Sequence, residues 1–114
     1  MALCGLHYSD FFKDNLITGK IKGTILKGKW SIPVEDELFV YIAPENVETS
    51  REDKKIGVAK IISCRYIKVG ELSDKEAKIC AYENGESLKQ GVKHWHKCND
   101  SDTVTLVEFD FRKI

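Results

Sequence analysis

The sequence predicts an α+β domain: a small curled sheet or barrel with helices at its ends. Strand-type and helix-type stretches follow one another in the order β-α-β-β-β-α-α-β. One of them, from Lys55 to Val69, is a β-type run too long to stay flat, so it must bend, bulge or wrap a barrel, with Gly57 one place for that. At 114 residues the chain fits one domain, and no repeat, low-complexity tract or linker divides 1–114.

Each element has a local reason. Residues 2–7, ALCGLH, are short and apolar enough for a first strand. A helix is expected over about 10–18, with Ser9 or Asp10 able to cap it. Phe12 and Leu16 lie on one face, and Gly19 supplies the left-handed stop. Ile21 to Leu26 is β-rich, with a Lys27-Gly28-Lys29 turn behind it and a linker over Trp30 to Pro33. Glu37 to Ala43, ELFVYIA, reads as a strand buried on both faces, ended by Pro44 and a charged surface loop, ENVETSREDK. Ser73-Asp74-Lys75-Glu76 is a capping box that opens a helix to about Tyr82. Gly85 breaks that pattern, and Ser87 opens a second helix to about His94. Thr103 to Phe111 closes the chain as an alternating strand.

Composition narrows the function. Hydrophobic content is 42% and charged content 32%, ordinary for a globular protein. Eighteen basic side chains balance eighteen acidic ones. A domain that grips long nucleic acid through its phosphates is usually strongly basic, so any such contact here is a local patch or the ligand is small. No apolar run approaches the ~20 residues of a membrane span, and no signal peptide is evident. The four scattered cysteines, Cys4, Cys64, Cys80 and Cys98, read as reduced thiols of a cytoplasmic protein.

The chemistry concentrates between Phe11 and Lys29. Lys20, Lys22, Lys27 and Lys29 fall there with no acid between Asp14 and Glu35. In an extended segment Lys20, Lys22 and Thr24 project the same way, and two ammonium groups beside a hydroxyl suit a phosphate, a nucleotide or a polarised carbonyl. A solvated edge strand protected by lysine is the plain alternative. His94, His96 and Cys98 are metal-ligand types but lack the spaced pairs of a structural zinc site, so no metal and no cofactor are expected. No nucleophile elbow or phosphate loop is present. Trp30, Tyr41, Tyr66, Tyr82 and Trp95 are the candidates for base stacking, each more often a core residue. Trp95 in particular is expected to pack on the barrel.

The run Phe12-x-Asp14-x-Leu16-Ile17-x-Gly19-Lys20-x-x-x-Thr24 resembles the opening of the ASCH family, relatives of the PUA RNA-binding fold. Asp36-x-Leu38-x-Val40 is similar to the family's G-D-x-(L/I)-x-V strand. Leu72-Ser73, Ala77, Glu83 and Gly85 resemble its L-(T/S)-x-x-x-A…E-G helix, and Ser87-Leu88 and the last strand also fit.

The resemblance implies a PUA-like β-barrel with flanking helices and a cleft that binds RNA or a nucleotide-like ligand through Lys20, Lys22, Thr24 and Lys27, in a monomer that needs no membrane. One small bacterial branch of the family hydrolyses N(4)-acetylcytidine with a threonine nucleophile, an activating lysine and a glutamate. By position these fall on Thr24 and near Glu83, while the lysine position is Ile21, flanked by Lys20 and Lys22. An amidohydrolase of that kind is the second reading, and a protein-interaction barrel without a ligand site the third.

Overall fold

The computed structural model describes residues 5–9, 12–43 and 54–114. The elements are β1 (Leu6–Ser9), α1 (Lys13–Ile17), β2 (Gly23–Lys27), β3 (Glu37–Ala43), β4 (Lys54–Lys68), α2 (Asp74–Ile79), α3 (Gly85–His96) and β5 (Thr103–Lys113). A short 3-10 turn, Val69–Glu71, follows β4. The fold is α+β: one curled five-stranded half-barrel sheet in the order β1-β3-β4-β5-β2, with a few helices. β1 runs parallel to β3, and the other pairs are antiparallel. Among the described residues no helix is long and apolar enough to cross a membrane.

β4 curls by bulging. Between Val40 and Tyr41 its partner jumps from Gly57 to Lys55, leaving Ile56 over. Between Ile61 and Ser63 the partner moves only from Phe109 to Glu108, leaving Ile62 over. Each extra residue bends the strand and steepens its twist. Gly57 is required beside the first: a Cβ there would lie 2.5 Å from the Phe111 ring and from the Arg112 carbonyl oxygen.

The sheet has a core on each side. Val40, Ile42, Ala59, Ile61, Val107 and Phe109 fill one, with Leu16 of α1. Val104, Leu106 and Ile25 face the other, against Ala77, Leu88 and Val92 of the helices. β5 is therefore the strand buried on both faces, from Val104 through Val107. This corrects the expectation for β3, where Val40 and Ile42 are buried but Phe39 is 43% exposed. The helices lie over β5 and β2, and β3 keeps one face toward solvent.

The turn after β2 is tied to this central strand. Gly28 takes the left-handed φ of 81°. The buried Thr105 hydroxyl donates to the Gly28 carbonyl at 2.7 Å and accepts from the Trp30 N–H at 2.9 Å.

Several boundaries differ from the expected ones. α1 starts at Lys13 with no side-chain cap, and Gly19 does follow it with φ 80°. Residues 2–4, 10–11 and the 44–53 loop lie outside the described residues. The second helix pair breaks differently: α2 ends at Ile79, and α3 starts at Gly85 rather than after Ser87. Asn84 is the cap, its side-chain oxygen accepting from the Ser87 N–H at 2.9 Å. Gly85 fits there because a Cβ would lie 2.7 Å from the Ser73 carbonyl carbon.

Candidate functional site

β1 and β2 are the two ends of the sheet, and the half-barrel stays open between them. A cavity of about 90 Å³ occupies that seam. Tyr8 comes from β1, and Ile21, Gly23, Thr24 and Ile25 come from the β2 segment. The far wall is α3, through Leu88, Gly91, Val92, Trp95 and His96, with Cys80 and Tyr82 from the chain after α2. Phe12, Tyr82 and Trp95 also border a wider depression of about 590 Å³, whose other walls include Asn15, Glu83 and Ser87. A narrow inner chamber thus opens past three aromatic rings into a wider, largely apolar outer one that Asn15, Glu83 and Ser87 also border.

Tyr82 is placed by the end of α2. Its N–H bonds the Ala77 carbonyl at 2.8 Å, and the Ala81 N–H bonds that of Lys78 at 3.3 Å, the paired bonds of a Schellman stop. Ala81 holds the left-handed position, φ 63°, where glycine is the usual residue. Ala81→Gly is expected to stabilise the protein by about 0.5–1 kcal/mol, read as a raised urea midpoint with unchanged slope. The Tyr82 ring then lies against α3 at Gly91, where a Cβ would come within 2.8 Å of its hydroxyl. A glycine inside a helix costs about 1 kcal/mol relative to alanine, and here it makes room for a cleft wall.

Trp95 continues the Leu88–Val92 stripe of α3 beyond the core. Leu88 and Val92 are buried, while Trp95 is 70% exposed, so it does not pack on the barrel as expected. His94 meets its ring edge-on at 5.2 Å between centroids. Inside the cleft, Phe12 meets Tyr8 edge-on at 5.9 Å.

The floor is polar. The Tyr8 hydroxyl is buried and has no hydrogen-bond partner among the described residues. Burial raises its pKa well above the ordinary phenol value; the Thr24 hydroxyl facing it pulls the other way, without reaching bonding geometry. Burial also pushes the Cys80 thiol up to about 12, helped by Glu76 and Glu108, so this sulfur stays protonated and unreactive. Burial lowers the His96 pKa, the Ile25 carbonyl opposes that, and Lys27 adds to it. His96 is therefore a neutral ring at pH 7, able to donate and to accept.

Of the residues singled out in sequence, Thr24 reaches the inner chamber and Glu83 the outer one. Lys20 and Lys22 are exposed and line neither chamber. Lys22 borders a separate depression with Ile62, Glu108 and Asp110. The alternation that would align Lys20, Lys22 and Thr24 fails because the ladder starts only at Gly23. Before it, the Lys22 N–H bonds the Ile79 carbonyl and the Lys22 carbonyl accepts from Phe109. Ile21, at the lysine position of the resemblance, is buried on the cleft wall. Lys27 is exposed and lines neither chamber, and its charge reaches His96 of the cleft. His94, His96 and Cys98 do not converge, and no group of three metal-ligating side chains forms among the described residues. Cys98 is buried in the helix-side core.

Tyr8, Phe12, Tyr82 and Trp95 form the aromatic part of the site. The signal for two of them was in α3: a glycine and a tryptophan on the same apolar stripe as Leu88 and Val92. Tyr8 left no such signal. Compared with protein-family models, curated proteins and solved structures, the chain matches none.

Proposed function

We propose that the chain is a binding domain of ASCH-like, PUA-like type, and that the seam between β1 and β2 holds a nucleobase, free as a nucleoside or nucleotide or carried by an RNA. The observation behind this is the combination of aromatic walls, Tyr82 and Trp95, with two hydroxyls at the floor that are not bonded to each other. Flat walls suit a flat ring, and an unpartnered buried hydroxyl is satisfied by a ligand that brings its partner. The zero net charge favours a small ligand or a single residue of a longer one.

Binding is favoured over hydrolysis. A threonine nucleophile needs a base or an amine within hydrogen-bond reach; the residues lining the inner chamber include no lysine, and among the described residues no hydrogen bond joins Thr24 to the neutral His96 ring there. The hydroxyl facing Thr24 belongs to a phenol that burial keeps protonated, so it has no phenolate to offer as the base.

Trp95 supplies the test. Titration of the protein with nucleosides, followed by tryptophan emission and calorimetry, is expected to show saturable binding. Trp95→Ala should weaken it about tenfold, the lower part of what one base–aromatic stack contributes. The side chain is 70% exposed, so the variant should keep its fold. Lys20→Ala with Lys22→Ala should leave nucleoside affinity unchanged, since neither lines the cleft. Trp95→Ala with unaltered affinity would remove the seam as the site.

A further inference from the structure

Within that nucleobase reading, we propose that the cleft reads a carbonyl oxygen at its floor, so that its ligand is a keto pyrimidine, uridine, entering oxygen-first between Tyr8 and Thr24. Three features of the two chambers carry this. The outer chamber offers Asn15, Glu83 and Ser87 and no lysine, a set suited to the neutral hydroxyls of a ribose. A sugar held there sends the base inward with the edge farthest from the glycosidic bond leading. In a pyrimidine that edge carries the 4-substituent, an oxygen in uracil and an amino group in cytosine.

The floor distinguishes the two. Tyr8 and Thr24 each carry one hydroxyl proton, and the Tyr8 hydroxyl has no acceptor among the described residues. A carbonyl oxygen has two lone pairs and can accept from both hydroxyls at once. An amino group brings only donors, and the phenol proton would stay buried without a partner. The inner chamber, at about 90 Å³, is also narrow, which favours a single ring over a purine.

The test is titration of the full chain with uridine, cytidine and adenosine, beside Tyr8→Phe and Thr24→Val, with thermal unfolding of each variant. A short oligouridylate separates a free nucleoside from an RNA residue as the source of the base. Uridine is expected to bind about tenfold tighter than cytidine, and Tyr8→Phe should erase that preference. Tyr8→Phe should also leave the Tm of the free protein unchanged or raise it, because it removes a polar atom without a partner. A hydroxyl with a merely structural role would lower Tm on removal, and that result overturns the proposal. So does equal or tighter binding of cytidine, or a uridine preference that survives both Tyr8→Phe and Thr24→Val; the nucleobase reading then stands without it. No binding of any nucleoside overturns both.

Discussion

Gly23→Ala is expected to cost about 3 kcal/mol, at the upper end of what overpacking costs. A Cβ on Gly23 would lie 2.5 Å from Ile79 Cγ2 and 2.6 Å from the Val107 carbonyl oxygen. The methyl group of Ile79 can give way, but the carbonyl belongs to the ladder that pairs β2 with β5. Relief therefore has to come from moving β2, which also carries Thr24 to the cleft. For a domain of this size such a loss corresponds to a fall of roughly 12–20 °C in Tm. Gly28→Ala is the control. It also replaces a β2-turn glycine, but open space surrounds its Cβ position and only the φ of 81° is unfavourable, about 1 kcal/mol. Urea unfolding of both variants separates the two causes. Equal losses would mean that the contact of Gly23 with β5 is not tight.

Gly23 also shows how the sequence carries more than alternation does. The element order and the capping-box helix were legible because they rest on local rules: glycine stops, cap residues and hydrophobic period. The long β run was legible as something that had to bend, and the bulges at Ile56 and Ile62 are how it bends. Burial was less legible. ELFVYIA is apolar on both sides, yet only TVTLVEFDF lies between two cores, because helix placement decides which strand is covered twice. That placement is a tertiary choice, set by where α2 and α3 dock, and no local pattern in β3 or β5 announces it.

The site divides in the same way. Thr24 and Glu83 came from sequence and both reach the cleft, in separate chambers. The lysines were the conspicuous residues, and they point elsewhere because the chain is not yet a strand at Lys22. The rule that aromatic residues belong to the core does not hold for the candidates here: Trp30, Tyr41 and Tyr82 are only half-buried, Tyr66 is exposed, and Trp95 sits one turn past the point where α3 leaves the core. Tyr8 could not be found by pattern at all. Its place in the cleft arises from the open seam, which brings one residue of β1 opposite one of β2 across a gap that no hydrogen bond among the described residues closes.

Glu76→Gln is expected to destabilise the protein by about 2–3 kcal/mol at pH 7 and by much less in acid. Glu76 is 4% exposed, and one carboxylate oxygen accepts from the Ser73 N–H at 2.8 Å and the Ser73 hydroxyl at 2.7 Å. The other meets Arg65 at 3.1 Å. Burial alone would raise the pKa of this carboxyl, but the Ser73 bonds and then Arg65 outweigh it and hold the value below the ordinary range. The Arg65 side chain is 41% exposed, so the screened ion pair adds little and the bonds to Ser73 carry most of the effect. The sign follows from the depressed pKa. The folded state favours the charged form, so the stabilisation is complete above the unfolded carboxylate pKa, about 4.3, and fades as pH falls through the folded value. An amide at position 76 does not titrate and cannot accept two charge-assisted bonds, so the gap between the two proteins should be widest at neutral pH and narrow below pH ~4. Urea unfolding of both proteins across that range measures it. A gap that stays constant with pH would mean that Glu76 acts through shape alone. A neutral-pH gap near zero would remove the Ser73–Glu76 contact as what fixes the start of α2, and with it the path of the chain to Tyr82.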